Sequence, residues 1–188
     1  RDSSTSRGLG DVYKRQVKSR SDSYQSEAEL EKEFIRLLCE QGYTYLPIHT
    51  EKDLIANLRE RLEELNNYMF SDSEWDRFFN EAIANPNDKI EDKTRKIQED
   101  FVQVLKRDDA LTKNILLIDR KNIHNNRLQV INQYVIGTDQ GAKHDNRYDV
   151  TILVNGFPLV HVELKRRGVA IREAFNQINS CLLYTSDA

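Results

Sequence analysis

The sequence has few cysteines, no long apolar run and no phosphate-binding loop. Its two cysteines, Cys39 and Cys181, are too few for a disulfide framework, which fits a reducing cytoplasm. No run of about 18 apolar residues occurs, so the sequence predicts no membrane-spanning helix. The sequence has no Gly-x-x-x-x-Gly-Lys motif, so these residues do not contain an ATP-driven motor of the kind that binds nucleotide through this loop. A net charge of −3 argues against a large non-specific DNA-binding surface.

Length and composition predict one compact domain. The chain has 188 residues, of which 38% are apolar and 31% charged, and this suits a single domain with a modest core. Residues 1–16 are polar and aperiodic, and residues 181–188 end without a cap or a complete element. We expect both tails to be foreign to the natural gene. The folded domain is expected at residues 17–180, with a helical part at about 26–107 and a sheet at about 114–180.

The helical part has the pattern of four amphipathic helices. Ser26 with Glu29, and Ser71 with Glu74, form capping boxes, in which a Ser and a Glu three residues later satisfy the first backbone N–H groups of a helix. Thr50 is a third helix-capping candidate. The helices are expected to cover about residues 27–40, a segment from residue 51, about residues 72–85 and about residues 88–107.

Strand signals dominate the second half of the domain. Short apolar runs predict strands at residues 115–119 and 128–136, after a short edge strand at residues 43–48. Residues 137–146 carry no pattern and predict a loop, and a last helix is expected from Ala170. This order of elements predicts a mixed β-sheet flanked by helices, which is an α/β fold.

Charged residues on a hairpin at residues 147–165 carry most of the functional information. The first strand contains Asp149, and the second contains Glu163 and Lys165. Because strand residues two apart share a face, Glu163 and Lys165 project side by side with His161 behind them. Two carboxylates can hold a divalent cation, and an adjacent ammonium can stabilise charge on a phosphodiester. The pattern indicates metal-assisted phosphodiester chemistry.

A solvated charge pair is the alternative interpretation of a Glu-x-Lys sequence on a strand. The neighbouring residues argue against it, since Val160, Val162 and Leu164 alternate with the charges and residues 152–154 are apolar. This pattern predicts a hairpin in the centre of the sheet, where charged side chains are unusual and indicate a function.

The register of this hairpin is a sharp test of the interpretation. A regular two-residue turn at residues 155–156 would place Asp149 opposite Val162, on the wrong face for an encounter with Glu163. Catalysis therefore predicts a three-residue loop or a β-bulge that pairs Asp149 with Glu163.

The residues that carry these features also resemble a known family. Residues 155–165, preceded by the Arg-Tyr-Asp at 147–149, resemble the nuclease motif of the restriction (R) subunit of type I restriction enzymes, a branch of the PD-(D/E)xK nucleases. The resemblance extends upstream through residues 126–134 and downstream through residues 172–177, and it covers the chain from about the twenties to residue 180.

Two positions depart from the superfamily pattern. Tyr148 stands where the superfamily name has proline, which is not a chemical participant. Gln177 fits the first position of a Gln-x-x-x-Tyr pattern. Cys181 stands at the tyrosine position, within the C-terminal tail at 181–188 that we expect to be foreign to the natural gene.

The resemblance implies a fold and a set of site residues. The fold would be a PD-(D/E)xK restriction-endonuclease-like core with an inserted helical elaboration. Asp149 and Glu163 would bind Mg²⁺, the Leu164 carbonyl would add a ligand, and Lys165 would be the catalytic lysine.

The resemblance also implies a biological role. The chain would be the endonuclease domain of an R subunit, which hydrolyses double-stranded DNA in a restriction–modification system. Methyltransferase (M) and specificity (S) subunits would be its partners. ATP would serve only the motor of the full-length protein, and these residues would have no membrane contact.

Basic residues flank the acidic site. In this position they could contact DNA phosphates, although such clusters also occur as ordinary solvated turns. The predicted contacts are Arg147, Arg166, Arg167 and Arg172.

Three further side chains are candidates for supporting roles. Glu33, with Glu29 in reserve, is the candidate for a third acid on the first helix, and a surface glutamate is the alternative. His161 could contact phosphate, or it could be a half-buried, hydrogen-bonded strand histidine. Gln177 would support the site from the last helix.

Two other functions remain open at this point. A repair or recombination nuclease of the same superfamily would share the site. A catalytically silent docking module would keep the fold without binding metal. Metal binding that depends on Glu163 separates the module from both nucleases.

Overall fold

The computed structural model describes residues 26–136 and 146–165, with the side chains of residues 135, 136, 146 and 147 excepted. The predicted tails, the last helix from Ala170 and nearly all of the loop at 137–146 lie outside these ranges. None of the described helices is long and apolar enough to cross a membrane.

The described elements are mostly helices in the first part of the chain and mostly strands in the second. In chain order they are α1 (Glu27–Glu40), β1 (Thr44–Tyr45), α2 (Glu51–Asn66), α3 (Asp72–Phe78) with a π-helical continuation (Phe79–Ile83), α4 (Ile90–Gln98), β2 (Val102–Lys106), β3 (Thr112–Leu116), a 3₁₀ turn (Ile123–Asn125), β4 (Leu128–Ile136), β5 (Asn146–Val154) and β6 (Phe157–Val162).

A four-stranded mixed sheet in the order β1-β4-β5-β6 forms the centre of the fold. β1 runs parallel to β4, and the other neighbours are antiparallel. α1 packs on one face, where Leu38 joins Val130 and Val150. On the other face, Leu54 of α2 packs against a cluster that includes Ile131. The predicted mixed sheet flanked by helices is confirmed.

Three predicted helix starts are confirmed by their caps. The Ser26 hydroxyl accepts a hydrogen bond from the Glu29 amide (3.2 Å), and the Glu29 carboxylate accepts one from the Ser26 amide (2.8 Å). Ser71 and Glu74 repeat this arrangement at α3. Thr50 caps α2 by accepting from the Asp53 amide.

The predicted fourth helix is wrong beyond Gln98. Residues 102–106 form β2, which pairs with β3 in a separate two-stranded sheet, so the helical part ends earlier than residue 107. The valines at 102 and 104 are β-branched and suit a strand, and their alternation turns Leu105 into the core. β3 also starts at Thr112 rather than at residue 115.

The turn between β5 and β6 joins the sheet to the helical part. The Asn155 side chain donates to the Leu117 carbonyl (3.1 Å) and to Asn126 Oδ1 (2.8 Å), and it accepts from the Arg127 amide (2.8 Å). Gly156 has φ +85°, and a Cβ there would lie 2.6 Å from the Leu58 Cα of α2. Only glycine fits this position, so the turn is fixed against α2.

Candidate active site

A β-bulge sets the register of the site hairpin. Asn155 and Gly156 form a two-residue turn, with Val154 opposite Phe157 and Leu153 opposite Pro158. Ile152 then lies opposite Val160, so that Leu159 is the extra residue. The predicted bulge is confirmed.

The bulge changes which residues meet further along the hairpin. Thr151 lies opposite His161, and Val150 lies opposite Val162. The ladder ends at this pair, and one further step in the same register would set Asp149 beside Glu163. If Leu159 were paired in a regular ladder instead of bulging out, that step would set Asp149 beside Val162.

The three predicted catalytic side chains lie at the end of this hairpin. Asp149 Oδ2 accepts a hydrogen bond from the Leu164 amide at 2.7 Å. Lys165 Nζ donates to Glu163 Oε1 at 2.6 Å. The Glu163 side chain is 4% exposed and that of Lys165 is 23% exposed. A nearly buried carboxylate therefore has the ammonium group as its partner.

The electrostatic surroundings keep Lys165 charged. Its partial burial opposes the charged form, but the hydrogen bond to Glu163 and the charges of Glu163, Glu27 and Asp149 raise the pKa of Lys165 overall. Lys165 is thus an ammonium at neutral pH, and in this state it acts as a cation and hydrogen-bond donor.

The expectation that Glu33 is a third acid of the site is corrected. Glu33 is 47% exposed and pairs with Arg36 at 2.8 Å. α1 turns Phe34, Ile35 and Leu38 toward the sheet. At 100° per residue Glu33 falls on the opposite side of the helix, as does Glu29, which is used in the N-terminal capping box.

Two acids of α1 that the sequence reasoning missed face the sheet. Glu27 contributes to the electrostatic field at Lys165. Glu31 accepts hydrogen bonds from Asn132 Nδ2 (2.5 Å) and from Gln133 Nε2. The spacing of Glu27, Glu31 and Leu38 places them on one helical stripe, and this spacing was the signal that could have identified both acids.

His161 is held by two neighbours on the hairpin. Its Nδ1 lies 2.9 Å from the Thr151 hydroxyl, and its ring stacks on Tyr148 with centroids 4.1 Å apart. Loss of hydration lowers the pKa of His161, which keeps the ring neutral at pH 7. These contacts favour the structural alternative for this histidine.

The predicted DNA-contacting residues are not described in side-chain detail. The Arg147 backbone pairs with Val135 in the β4–β5 ladder. Its side chain lies outside the described part of the chain, as do Arg166, Arg167, Arg172 and Gln177 entirely.

The donor set at the hairpin fits a hard divalent cation. Asp149 and Glu163 offer carboxylate oxygens, and Leu164 offers a carbonyl oxygen, which are ligand types that Mg²⁺ accepts together with water and phosphate. Within residues 26–136 and 146–165, no three His, Cys, Asp or Glu side chains are grouped so as to hold a metal. Two carboxylates suit a cation that keeps several waters.

Comparison with known proteins identifies the family. A sequence profile described as type I restriction enzyme R protein N terminus matches residues 24–181. The chain belongs to this family. The R-protein N terminus adopts a restriction-endonuclease-like α/β fold, and the mixed sheet with flanking helices is that fold here.

Several curated endonuclease subunits are similar to this R-protein N terminus. The type I restriction enzyme EcoprrI endonuclease subunit of Escherichia coli is 52% identical over 160 residues, which is 85% of this chain and 50% of that protein. The SsaAORF53P endonuclease subunit of Staphylococcus saprophyticus is 38% identical over 156 residues, 82% of this chain and 16% of that protein. The SauMSSORF170P endonuclease subunit of Staphylococcus aureus is 38% identical over 157 residues, 83% of this chain and 16% of that protein.

These figures also give the extent of the similarity. The chain spans about half the length of the Escherichia coli relative and about a sixth of the two staphylococcal ones. The resemblance seen in the sequence to the R subunit of type I restriction enzymes is confirmed.

Proposed function

We propose that this chain is the metal-dependent endonuclease domain of a type I restriction enzyme R subunit, and that it hydrolyses DNA phosphodiester bonds. One observation carries the proposal. The bulge at Leu159 sets a register that, continued one step past the last ladder pair, puts Asp149 in step with Glu163, where Asp149 bonds to the Leu164 amide and Lys165 pairs with Glu163.

Each site residue has a distinct role in this proposal. Asp149, Glu163 and the Leu164 carbonyl would hold Mg²⁺, which when bound polarises a phosphate oxygen and lowers the pKa of water. The charged Lys165 stabilises negative charge that develops on the phosphate. Because the Glu163 side chain is nearly buried, water screens the attraction between Glu163 and Lys165 only weakly.

Glu27 replaces Glu33 as the proposed acid from α1. It lies on the stripe of α1 that faces the sheet, and its charge acts on Lys165. Glu31, one turn further along, is engaged with Asn132 and Gln133. Glu27 would orient Lys165 or a metal-bound water.

The remaining assignments rest on sequence position. Arg147, Arg166, Arg167 and Arg172 would contact the phosphates of double-stranded DNA, and Gln177 would support the site. In the complete enzyme the R subunit would work with methyltransferase and specificity subunits in the cytoplasm. ATP would drive translocation by parts of the R subunit outside this chain.

Mn²⁺ or Mg²⁺ titration calorimetry tests the proposal. The chain should bind the cation, and Glu163→Ala should abolish this binding because it removes one of two carboxylates. The folded state should survive, as judged by circular dichroism. Cleavage by a complete enzyme that carries Glu163→Ala should also be lost.

Glu33→Ala is the matched control. It removes an acid from the side of α1 that faces away from the sheet, and metal binding should stay unchanged. A docking module without catalysis would show no binding that depends on Glu163, and this result would overturn the proposal.

A further inference from the structure

Gln133 has an unusual backbone conformation in the middle of β4. Its φ is +55°, in the left-handed region that a non-glycine residue rarely occupies within a strand. The β4–β5 ladder pairs Asn132 with Val150 and Tyr134 with Tyr148, and it skips the pair between them. The skipped pair is Gln133 and Asp149, so the irregularity lies directly opposite an acid of the site.

Both strands change face at this level. Ile131 and Tyr134 pack in the same apolar cluster, although residues three apart in a regular strand point to opposite faces. On β5, Tyr148 and Thr151 are also three apart, and both contact His161. The normal alternation is therefore broken at Gln133 on one strand and at Asp149 on the other.

A side-chain contact holds Gln133 in place. Its amide Nε2 donates to Glu31 of α1, and the amide of the adjacent Asn132 donates to the same carboxylate. Neighbouring strand residues ordinarily project to opposite faces, so their shared partner reflects the same break in alternation. Asp149, across from Gln133, accepts a hydrogen bond from the Leu164 amide of the Glu163 strand at 2.7 Å.

We propose that Gln133 is a positioning residue for Asp149. Its left-handed backbone, anchored through Glu31, opens the β4–β5 ladder at one pair and lets the Asp149 carboxylate reach the Leu164 amide. A regular extended residue at position 133 would close the ladder and hold the Asp149 side chain perpendicular to the sheet, off the Leu164 amide. Backbone strain that is held by its surroundings at a functional site has this use in other proteins. The inference rests on the proposed metal-dependent function.

Two substitutions of Gln133 separate its backbone conformation from its chemistry. Gln133→Val introduces a β-branched side chain that strongly disfavours positive φ, so the strand should become regular. Gln133→Gly removes the contact with Glu31 but permits positive φ at no steric cost. The valine variant should bind Mn²⁺ roughly ten- to a hundredfold more weakly than the unchanged chain, the loss typical for residues that orient metal ligands. The glycine variant should bind more tightly than the valine variant.

Ala110→Val is the matched control for strain. Ala110 has φ +63° in the exposed turn between β2 and β3, so valine meets the same backbone penalty there without contact to the site. Its Mn²⁺ affinity should equal that of the unchanged chain.

Two readouts besides cleavage report on the site in the 188-residue chain. Calorimetry gives the Mn²⁺ affinity, and the ¹⁵N–¹H resonance of Leu164 reports its hydrogen bond to Asp149 without any metal. This resonance should shift in the valine variant and stay near its original position in the glycine variant. If the valine variant does not fold, Gln133→Ala takes its place, because alanine also disfavours positive φ relative to glycine.

The outcomes separate this inference from the proposed function. Unchanged binding in the valine variant, equal losses in the valine and glycine variants, or an equal loss in Ala110→Val would each overturn the role of Gln133 while Glu163-dependent binding stands. An absence of Glu163-dependent binding in the unchanged chain would overturn the proposed function, and this inference with it.

Discussion

At the scale of single residues, the site depends on a glycine remote from the chemistry. Gly156 sits in the turn that starts β6, and the backbone of α2 passes directly beside it. Asn155 fixes the same turn with three hydrogen bonds. The contact between Gly156 and α2 therefore fixes the position of β6, and with it the position of Glu163.

Gly156→Ala should therefore be strongly destabilising. The new Cβ would approach the Leu58 Cα to 2.6 Å at a positive φ, and we expect a loss of about 1–3 kcal/mol from overpacking in addition to the backbone strain. Urea unfolding measures the change. Gly42→Ala is the control, because Gly42 also has positive φ (+94°) but a Cβ there meets nothing within 4 Å. Equal losses at both positions would contradict the role of the contact with α2.

Asp108 links the β2–β3 turn to the first turn of α3, and it predicts a pH dependence. Hydrogen bonds from Ser71, Ser73 and Arg77 lower the pKa of Asp108 to about 2. A lowered pKa means that the ionised form stabilises the fold. This contribution is complete above the ordinary aspartate pKa of about 4 and is lost as the pH falls toward 2.

Asp108→Asn should lower the midpoint of thermal unfolding at pH 7. The difference from the unchanged chain should shrink between about pH 4 and pH 2. Asp76→Asn, at an exposed position of α3, serves as the control for loss of one negative charge. A difference that is constant across this pH range would contradict the role of the ionised carboxylate.

At the scale of elements, local signals were predicted well and contacts between distant segments were not. The capping boxes at Ser26 and Ser71 involve residues three apart, so the sequence contains the whole interaction. The sequence predicts helix for Val102–Lys106, because the partner strand and core contacts that make this segment a strand lie elsewhere in the chain. From the sequence Glu33 is predicted as the third acid and Glu27 is not considered, because the orientation of α1 on the sheet depends on tertiary packing.

The hairpin shows the same division. The chemistry predicts that the loop or strand between Asp149 and Glu163 has one residue more than a regular two-residue hairpin. Without it, period-2 alternation would put Asp149 and Glu163 on opposite faces. The location of the extra residue at Leu159 depends on how the Asn155–Gly156 turn packs against α2, which no local pattern contains.

Changes in the length of β6 test the register. Insertion of one alanine after Leu159 should move Glu163 out of step with Asp149 and abolish metal binding. Deletion of Leu159 should leave Asp149 beside Glu163, because a regular hairpin one residue shorter gives the same pairing. Titration calorimetry on both variants is the measurement. Binding that survives the insertion, or is lost on the deletion in a folded chain, would contradict the register assignment.

At the scale of the whole molecule, the helical part and the main sheet share one core around the site turn. Phe157 of β6 belongs to the same buried cluster as Leu58 and Leu62 of α2, Trp75 of α3 and Ile115 of β3. The helical part is thus packed against the β5–β6 hairpin. The described parts of the chain should unfold as a single cooperative unit.

The single tryptophan allows a direct test of this cooperativity. Trp75 is buried in the helical part, so its fluorescence reports on that part, whereas far-ultraviolet circular dichroism reports on all elements. The two unfolding curves in urea should coincide. Separate midpoints would mean that the helical elaboration unfolds independently of the rest.

The bulge at Leu159 has a consequence beyond the register. A shorter regular strand would align the same two acids, so alignment alone does not require the additional residue. In the described part of the chain β6 is an outer strand of its sheet, and outer strands with free N–H and C=O groups invite pairing with other molecules. The bulge at Leu159 distorts this edge of the sheet next to Pro158, which has no backbone N–H to donate. A bulge beside a proline disfavours the pairing of a second strand along this edge.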